Sequence, residues 1–321
     1  MDQMIPKVVV IGGGTGLSVL LRALKKFRVD ITAVVTVADD GGSSGILRDE
    51  LDIPPPGDVR NVLVALSEGE PLIEKVFQHR FLHGNGISGH SLGNLLLAAM
   101  TSITGDFVSG IKEISRVLNI RGRVLPSANQ GVILSAKMKD GTIVQGESKI
   151  PLAKKEIDYV FLNTPDVKAL PESVEAILEA DLIIMGPGSL YTSIIPNLLV
   201  PEIQEAVCHA PGKKVYICNV MTQYGETTNF TASDHVKALL KHIDCNQLLD
   251  MIVVNDADIP MNVLRRYTEK GAVPVVCDLE HLQQYAPVVI HDHFVKFDEP
   301  FIRHDAKKIS RLLVNTIREK E

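Results

Sequence analysis

Short β-branched runs alternate with stretches of helical spacing along most of the chain, and the alternation begins at once. Val8-Val9-Val10-Ile11 is a continuous apolar run of the kind that fills a strand buried on both faces. Gly12, Gly13, Gly14 and Gly16 follow, with Thr15 among them. Leu17, Leu20, Leu21 and Leu24 then fall at i, i+3, i+4 and i+7, one apolar face of a helix. A second strand is predicted from Ile31 to Val37, and Val59, Val62, Leu63 and Leu66 predict a helix beyond it. Leu72 to Phe81 reads as a mixed helix, and Phe107, Ile111, Ile114 and Leu118 as an amphipathic one. In the second half, strands are predicted at 180–185, 215–218, 252–254 and 273–276. Helices are predicted around Val174 to Leu178 and through Ile309, Leu312, Leu313 and Ile317.

Between the halves the period changes. Gly131 to Ile150 reads as two strands joined at Asp140-Gly141, a favoured two-residue hairpin turn. The pattern therefore predicts an α/β protein: a Rossmann-like, three-layer, doubly wound and mainly parallel sheet with a small antiparallel β insertion. Residues 1–120 form the expected glycine-rich nucleotide-binding half, 121–165 the insertion, and 166–321 a second α/β half completing the same sheet and cleft. A lid, an oligomer contact and a flap that completes the cleft are all open as roles for the insertion.

Strand, glycine turn and helix together make a phosphate-binding opening. Glycines let backbone N–H groups approach an anion, and the helix N-terminus adds partial positive charge. The strict G-x-G-x-x-G fingerprint fails because Leu17 stands where its third glycine belongs, leaving G-x-G-x-G. The second strand ends in Ala38-Asp39-Asp40, where such folds hold a ribose. Asp39 and Asp40, ahead of the flexible Gly41-Gly42-Ser43-Ser44-Gly45, also suit a magnesium ion bridging to phosphates. The competing readings are a tight turn that binds nothing and a solvated acidic loop. Pro54-Pro55-Pro56-Gly57 forces an extended turn and sets Asp58 where an N-cap belongs, with Arg60 and Asn61 in the first helical turn.

VVVIGGGTGLSVLLRALK, TVADDGGSSG and PPPGDVRNVLVAL together resemble the gluconeogenesis factor (YvcK-type) family, part of a CofD-like superfamily with 2-phospho-L-lactate transferase. The resemblance continues through GHSLGNLL, MGPGSLYTSIIPNLLVPEI and CNVMTQYGETTNF, and so covers nearly the whole chain. It implies a cytoplasmic bacterial protein that binds a UDP-sugar such as UDP-N-acetylglucosamine. The implied role concerns cell shape and growth on gluconeogenic carbon sources, with no reaction attached to that branch.

Later loops add candidates. Gly89 to Gly93 spells G-x-S-x-G, but the preceding HGNGIS is polar where a hydrolase elbow needs a buried strand. His90, Ser91 and Asn94 are read as cleft residues, with helix capping as the alternative for Ser91 and Asn94. Gly188, Ser189, Thr192 and Ser193 lie in a second strand–glycine–hydroxyl loop whose amides and hydroxyls suit a phosphate or a sugar. Ser189 as a plain N-cap is the alternative there. Asn219, Thr222 and Gln223 follow the carboxyl end of a strand, where open α/β sheets bind ligands, and suit a base or sugar. Arg303 is expected at a diphosphate, because guanidinium holds phosphate oxygens in pairs. The resemblance supports an arginine near there in a UDP-sugar site; a surface salt bridge is the alternative. His281, His291, His293 and His304 lack a clear third metal ligand and are read as surface or locally bonded. Arg265 and Arg266 are read as a solvated helix face.

Composition narrows the classes. With 45% hydrophobic and 22% charged residues, the 321-residue chain can bury a large core. A net charge of −6, a pI near 5.9 and no basic block exclude non-specific nucleic-acid binding. Trp is missing, so no stacking platform for single strands is expected. Cys208, Cys218, Cys245 and Cys277 are widely spaced and are expected as free thiols in a reducing cytosol. MDQMIPK lacks the marks of a signal peptide and no apolar run is long enough to span a bilayer, so a cytoplasmic location is expected. Three functions remain: a nucleotide-sugar-binding regulatory factor, a magnesium-dependent phospho-lactyl-type transferase using a nucleoside diphosphate-activated donor, and an NAD-binding protein. A small-molecule nucleotide is the expected partner, a homo-oligomer is compatible, and no catalytic residue stands out.

Overall fold

The computed structural model describes residues 4–69, 71–245, 247–298 and 301–318; of the MDQMIPK stretch, residues 1–3 lie outside them. The first strands in chain order are β1 (Lys7–Gly12), β2 (Asp30–Val35) and β3 (Arg123–Pro126). β4 (Leu134–Met138), β5 (Ile143–Gln145) and β6 (Ile157–Leu162) come next. The second half supplies β7 (Leu182–Met185), β8 (Lys213–Ile217), β9 (Met251–Asn255), β10 (Val288–Asp292), β11 (Val295–Asp298) and β12 (Phe301–His304). The helices of the first half are α1 (Gly14–Leu24), α2 (Gly42–Leu51), α3 (Gly57–Leu66), α4 (Pro71–Gln78), α5 (Leu92–Thr104) and α6 (Phe107–Val117). Those of the second are α7 (Pro171–Leu178), α8 (Ile195–Leu198), α9 (Pro201–His209), α10 (Ala232–Leu240), α11 (Met261–Thr268), α12 (Leu279–Leu282) and α13 (Ala306–Arg318).

Seven strands form one parallel sheet in the order β10-β9-β8-β7-β1-β2-β3. β1 is buried at every position after Lys7 and β7 at every position, as unbroken apolar runs require at the centre of a sheet. The connections from β1 to β2 and from β7 to β8 run in opposite directions along the sheet, and the right-handed rule for such crossovers then puts α1 and α9 on opposite faces. α1 packs between α3 and α13, and α7 against α9, completing the three layers expected from the alternation. The order reverses between β7 and β1, and a ligand crevice belongs beyond the carboxyl ends of strands at such a switch.

The antiparallel insertion is a three-stranded sheet, β5-β4-β6. Its boundary differs from the expected 121–165, because Arg123–Pro126 pairs in parallel with β2 and belongs to the main sheet. The second hairpin strand is only Ile143–Gln145, after which the chain turns through Gly146 to a short 3-10 turn at Pro151–Ala153. Val273 to Val276 is also not a sheet strand. Pro274 has no N–H for a ladder, and the segment instead bonds to Val220 and Thr222. The sheet edge on that side is β10, which carries His291. Among the described residues no single helix is long and apolar enough to cross a membrane.

The expectation of four free thiols fails for two of them. Cys208 and Cys245 form a disulfide, their Cα atoms 6.0 Å apart, while Cys218 and Cys277 are free. Packing, not spacing, brings the pair together: Gln204 on α9 donates to His242 O and accepts from Asp244 N–H.

Asn197, wholly buried on α8, ties the sheet centre to the loop after β7. Its Nδ2 donates to Ser193 O at 2.8 Å and to Gly12 O at 3.2 Å. Asn197→Ala is expected to lower the unfolding free energy by about 1–3 kcal/mol, read from urea denaturation; an unchanged midpoint would contradict this tie.

Candidate functional site

Past β1 the chain turns at Gly13 and Gly14 into α1, with Gly14 at φ +67 and no side-chain cap from Gly13. A Cβ on Gly13 would overlap the Asp58 carboxylate, and one on Gly16 would lie 2.9 Å from Pro187 O. Glycine at both places lets the head of α1 sit against the loop after β7. Ser193 Oγ comes within 3.6 Å of where a Cβ on Gly14 would stand. Thr15 is exposed and Gly14 and Gly16 half-buried, so the first turn of α1 is open to solvent beside the switch point.

Asp58 is not the cap expected of it. α3 starts at Gly57 with Pro56 in the cap position. The Asp58 carboxylate reaches instead to the Gly14 N–H at the head of α1. Burial, reinforced by Asp39, pushes its pKa up to about 7, against the pull of Gly14 N–H and Arg60. Asp39 Oδ1 accepts from Gly41 N–H at 2.9 Å, and its other oxygen lies against Gly57. Asp40 takes another direction: its Oδ1 accepts from Ser148 N–H, in the insertion, at 2.8 Å. Glu147, beside Ser148, is pushed up to about 9 by burial first and then by Asp39, Asp58, Glu226 and Asp40.

The GHSLGN block supports this loop from behind. Ser43 and Ser44 in the first turn of α2, and His90, Ser91 and Asn94, are all buried. Ser43 Oγ bonds His90 Nδ1 at 3.0 Å, and Asn94 Nδ2 donates to Ser43 at 3.1 Å and to Ser44 at 3.4 Å. Ser91 is the side-chain N-cap of α5 and also accepts from Arg60 Nη1. It has the surroundings of a cap rather than of a nucleophile.

On the other lip, Gly188 N–H donates to Asn219 Oδ1 at 3.4 Å, and Asn219 Nδ2 returns a bond to Gly188 O at 2.8 Å. Ser189 donates to Gln223 Oε1 at 2.7 Å, and Thr192 to Glu226 Oε1 at 3.1 Å. Thr222 is buried and accepts from Val273 N–H, so its hydroxyl holds the segment 273–276. Glu226 is buried too, and desolvation pushes it up to about 7 despite its bond from Thr192. Arg303 is exposed on β12 opposite Lys296, and its neighbour His304 donates to Cys218 O just past β8, which seats this hairpin at the strand ends. His291 pairs with Asp256 at 3.0 Å. Among the described residues no group of three or more His, Cys, Asp or Glu is arranged to hold a metal ion. Glu147 and Glu226 were not singled out from the sequence; the only signal was the place of Glu226 in the polar turn after a strand.

A family model described as 2-phospho-L-lactate transferase CofD matches residues 8–295. The gluconeogenesis factor of Bacillus subtilis is 59% identical over 314 residues, covering 98% of this chain and 99% of that protein. The chain belongs to the gluconeogenesis factor branch of the CofD family. Another member of the branch, the gluconeogenesis factor of Halalkalibacterium halodurans, is 60% identical over 307 residues, 96% of this chain and 95% of that one. A crystal structure of a Bacillus halodurans protein superposes with a TM-score of 0.95 at 59% identity, covering 97% of this chain and 100% of that one. The fold and its switch point are thus those of the branch.

Asp58 gives a sign that can be measured. A carboxyl whose pKa rises from its ordinary 3.8 to about 7 on folding binds its proton more tightly folded than unfolded. It therefore lowers stability as pH climbs through that window. Asp58→Asn keeps an acceptor for Gly14 N–H without the charge. The variant is expected to gain stability relative to the parent chain between about pH 4 and pH 8, measured by urea denaturation at both ends; a parallel pH dependence would refute the buried charge.

Proposed function

We propose that the crevice between β1 and β7 binds a nucleoside diphosphate sugar of the UDP-N-acetylglucosamine kind. Its occupancy would report sugar-nucleotide supply in a cytoplasmic regulatory factor for gluconeogenic growth and cell shape. The observation that carries this reading is the meeting of two glycine loops at the switch point, where Gly16 abuts Pro187 and Ser193 lies beside Gly14. Amides at the head of α1 suit phosphate oxygens, and helix polarity favours negative charge there. Arg303, at the ends of the strands, is suited to the same diphosphate. The name gluconeogenesis factor, borne by relatives across nearly the full chain, supports the growth role.

The Asp39 and Asp40 carboxylates would repel a bare diphosphate, and their oxygens are the hard donors that magnesium takes. Magnesium ordinarily takes one or two protein carboxylates and completes its shell with water and phosphate oxygens. Asp39 is the first candidate to hold it, and Asp40 the second, since one Asp40 oxygen is occupied by Ser148. The carboxylates also favour a second reading, a magnesium-dependent phospho-lactyl-type transferase in which the metal supplies Lewis-acid polarisation of a phosphoanhydride.

Isothermal titration with UDP-N-acetylglucosamine is expected to give binding that strengthens with magnesium. Asp39→Asn is expected to weaken the magnesium-dependent part about tenfold, or about 1.4 kcal/mol. No heat at about 1 mM ligand would remove the regulatory reading. Metal-dependent cleavage of a nucleoside diphosphate donor, lost in Asp40→Asn, would promote the transferase.

A further inference from the structure

The hydrogen bonds behind the loop after β7 run in one direction only. Glu226, 3% exposed, accepts through Oε1 from the Thr192 hydroxyl at 3.1 Å and from Gln223 Nε2 at 2.5 Å. Its Oε2 is buried with no hydrogen-bond partner. With Glu226 ionised, the Gln223 carbonyl in that place would put two acceptors 2.5 Å apart, so the amide N–H end faces Glu226. Gln223 Oε1 therefore faces Ser189 and takes the Ser189 hydrogen at 2.7 Å. A proton on Glu226 Oε1 would let the Gln223 carbonyl accept instead and turn the chain round, so the direction described is that of the ionised carboxylate, and the titrations below are run at about pH 8.5. Thr192 has likewise turned its hydrogen inward, and Asn219 uses both ends of its amide on Gly188. What half-buried Ser189 keeps for the crevice is lone pairs.

We infer that Ser189 Oγ reads a hydrogen-bond donor of the ligand, a hydroxyl or N–H of its sugar or base, and that the phosphates lie instead at the head of α1. An ionised phosphate oxygen has no hydrogen to give and would meet a lone pair at Ser189. At the head of α1 the opposite holds, because backbone N–H groups point outward from a helix N-terminus. Gln223 and Glu226 are positioning residues: they touch no ligand and set the polarity of the hydroxyl that does. A site built to accept a hydrogen bond discriminates strongly against an analogue lacking the donor.

The inference rests on the nucleotide-sugar reading, and one set of titrations separates the two. UDP-N-acetylglucosamine, UDP and inorganic diphosphate are titrated into the full chain and into Ser189→Ala, with thermal unfolding to check the fold. Ser189→Ala is expected to lose about 5- to 10-fold for UDP-N-acetylglucosamine and nothing for diphosphate. A loss shared by UDP assigns the donor to the base, and one confined to the sugar nucleotide assigns it to the sugar. Gln223→Met frees the Ser189 hydrogen and is expected to narrow the preference for UDP-N-acetylglucosamine over diphosphate. Equal losses for all three ligands, no loss for any, or an unchanged preference in Gln223→Met overturns the inference and leaves the binding site standing. Failure of the unmodified chain to bind UDP-N-acetylglucosamine overturns the reading beneath it as well.

Discussion

Parallel pairing of β1 with β7 is the constraint on which the rest of the molecule depends. The register runs from Val8 opposite Leu182 to Ile11 opposite Met185, so both strands end level and Gly12 and Gly186 leave the sheet side by side. Gly186 N–H donates to Ile11 O at 3.1 Å, and Asn197 holds Gly12 O, so the two exits are fixed to each other. The eight paired side chains are almost wholly buried, each worth about 1.5–3 kcal/mol on transfer from water. No ligand is needed to set this geometry. The hydrophobic core does it, and the crevice is a by-product of strands that diverge in their connections but not in their register.

Electrostatics then shapes what that crevice tolerates. The heads of α1, α2 and α3 converge on Asp39 and Asp58, through the Gly14 and Gly41 amides and the close approach at Gly57. Helix N-termini favour negative charge by about 0.3–1 kcal/mol each. Desolvation and mutual repulsion outweigh that help, since the Asp58 pKa still rises to about 7 and that of Glu147 to about 9. At neutral pH the crevice is therefore less negative than its carboxylates suggest. Glu147 holds its proton there and can donate a hydrogen bond, while Asp58 sits near the midpoint of its titration.

How far the sequence discloses this varies with the kind of information involved. The apolar run of β1, the glycine turn, α1 and the Asp39-Asp40 tip are local patterns, and each stands where the pattern put it. Strand order is not local: nothing in the run at 182–185 says that its neighbour is β1. For the same reason Arg123–Pro126 read as part of an insertion when its partner is β2, and Val273–Val276 read as a strand although Pro274 denies it a ladder. His90, Ser91 and Asn94 carried a recognisable motif, yet they form a buried network behind the Asp39 loop. Glu147 and Glu226 carried none, because their importance comes from burial and company, which only the folded chain supplies.

The same distinction bears on one of the three roles open to the insertion, that of a lid. Ser148 N–H binds Asp40 at the tip after β2, and Pro151 O packs so tightly on Gly225, in the turn after β8, that no side chain fits there. Further back, Val160 N–H donates to His242 and Lys241 pairs with Asp158. The insertion is thus fastened to both halves, on either side of the switch point. A lid that swings freely would break backbone packing at Gly225, where Pro151 O leaves no room for a Cβ. A flap that completes the cleft keeps every one of these contacts and brings Glu147 to the carboxylates it is coupled to. At the Asp40 end the fit is just as close, since a Cβ on Gly146 would overlap the second Asp40 oxygen.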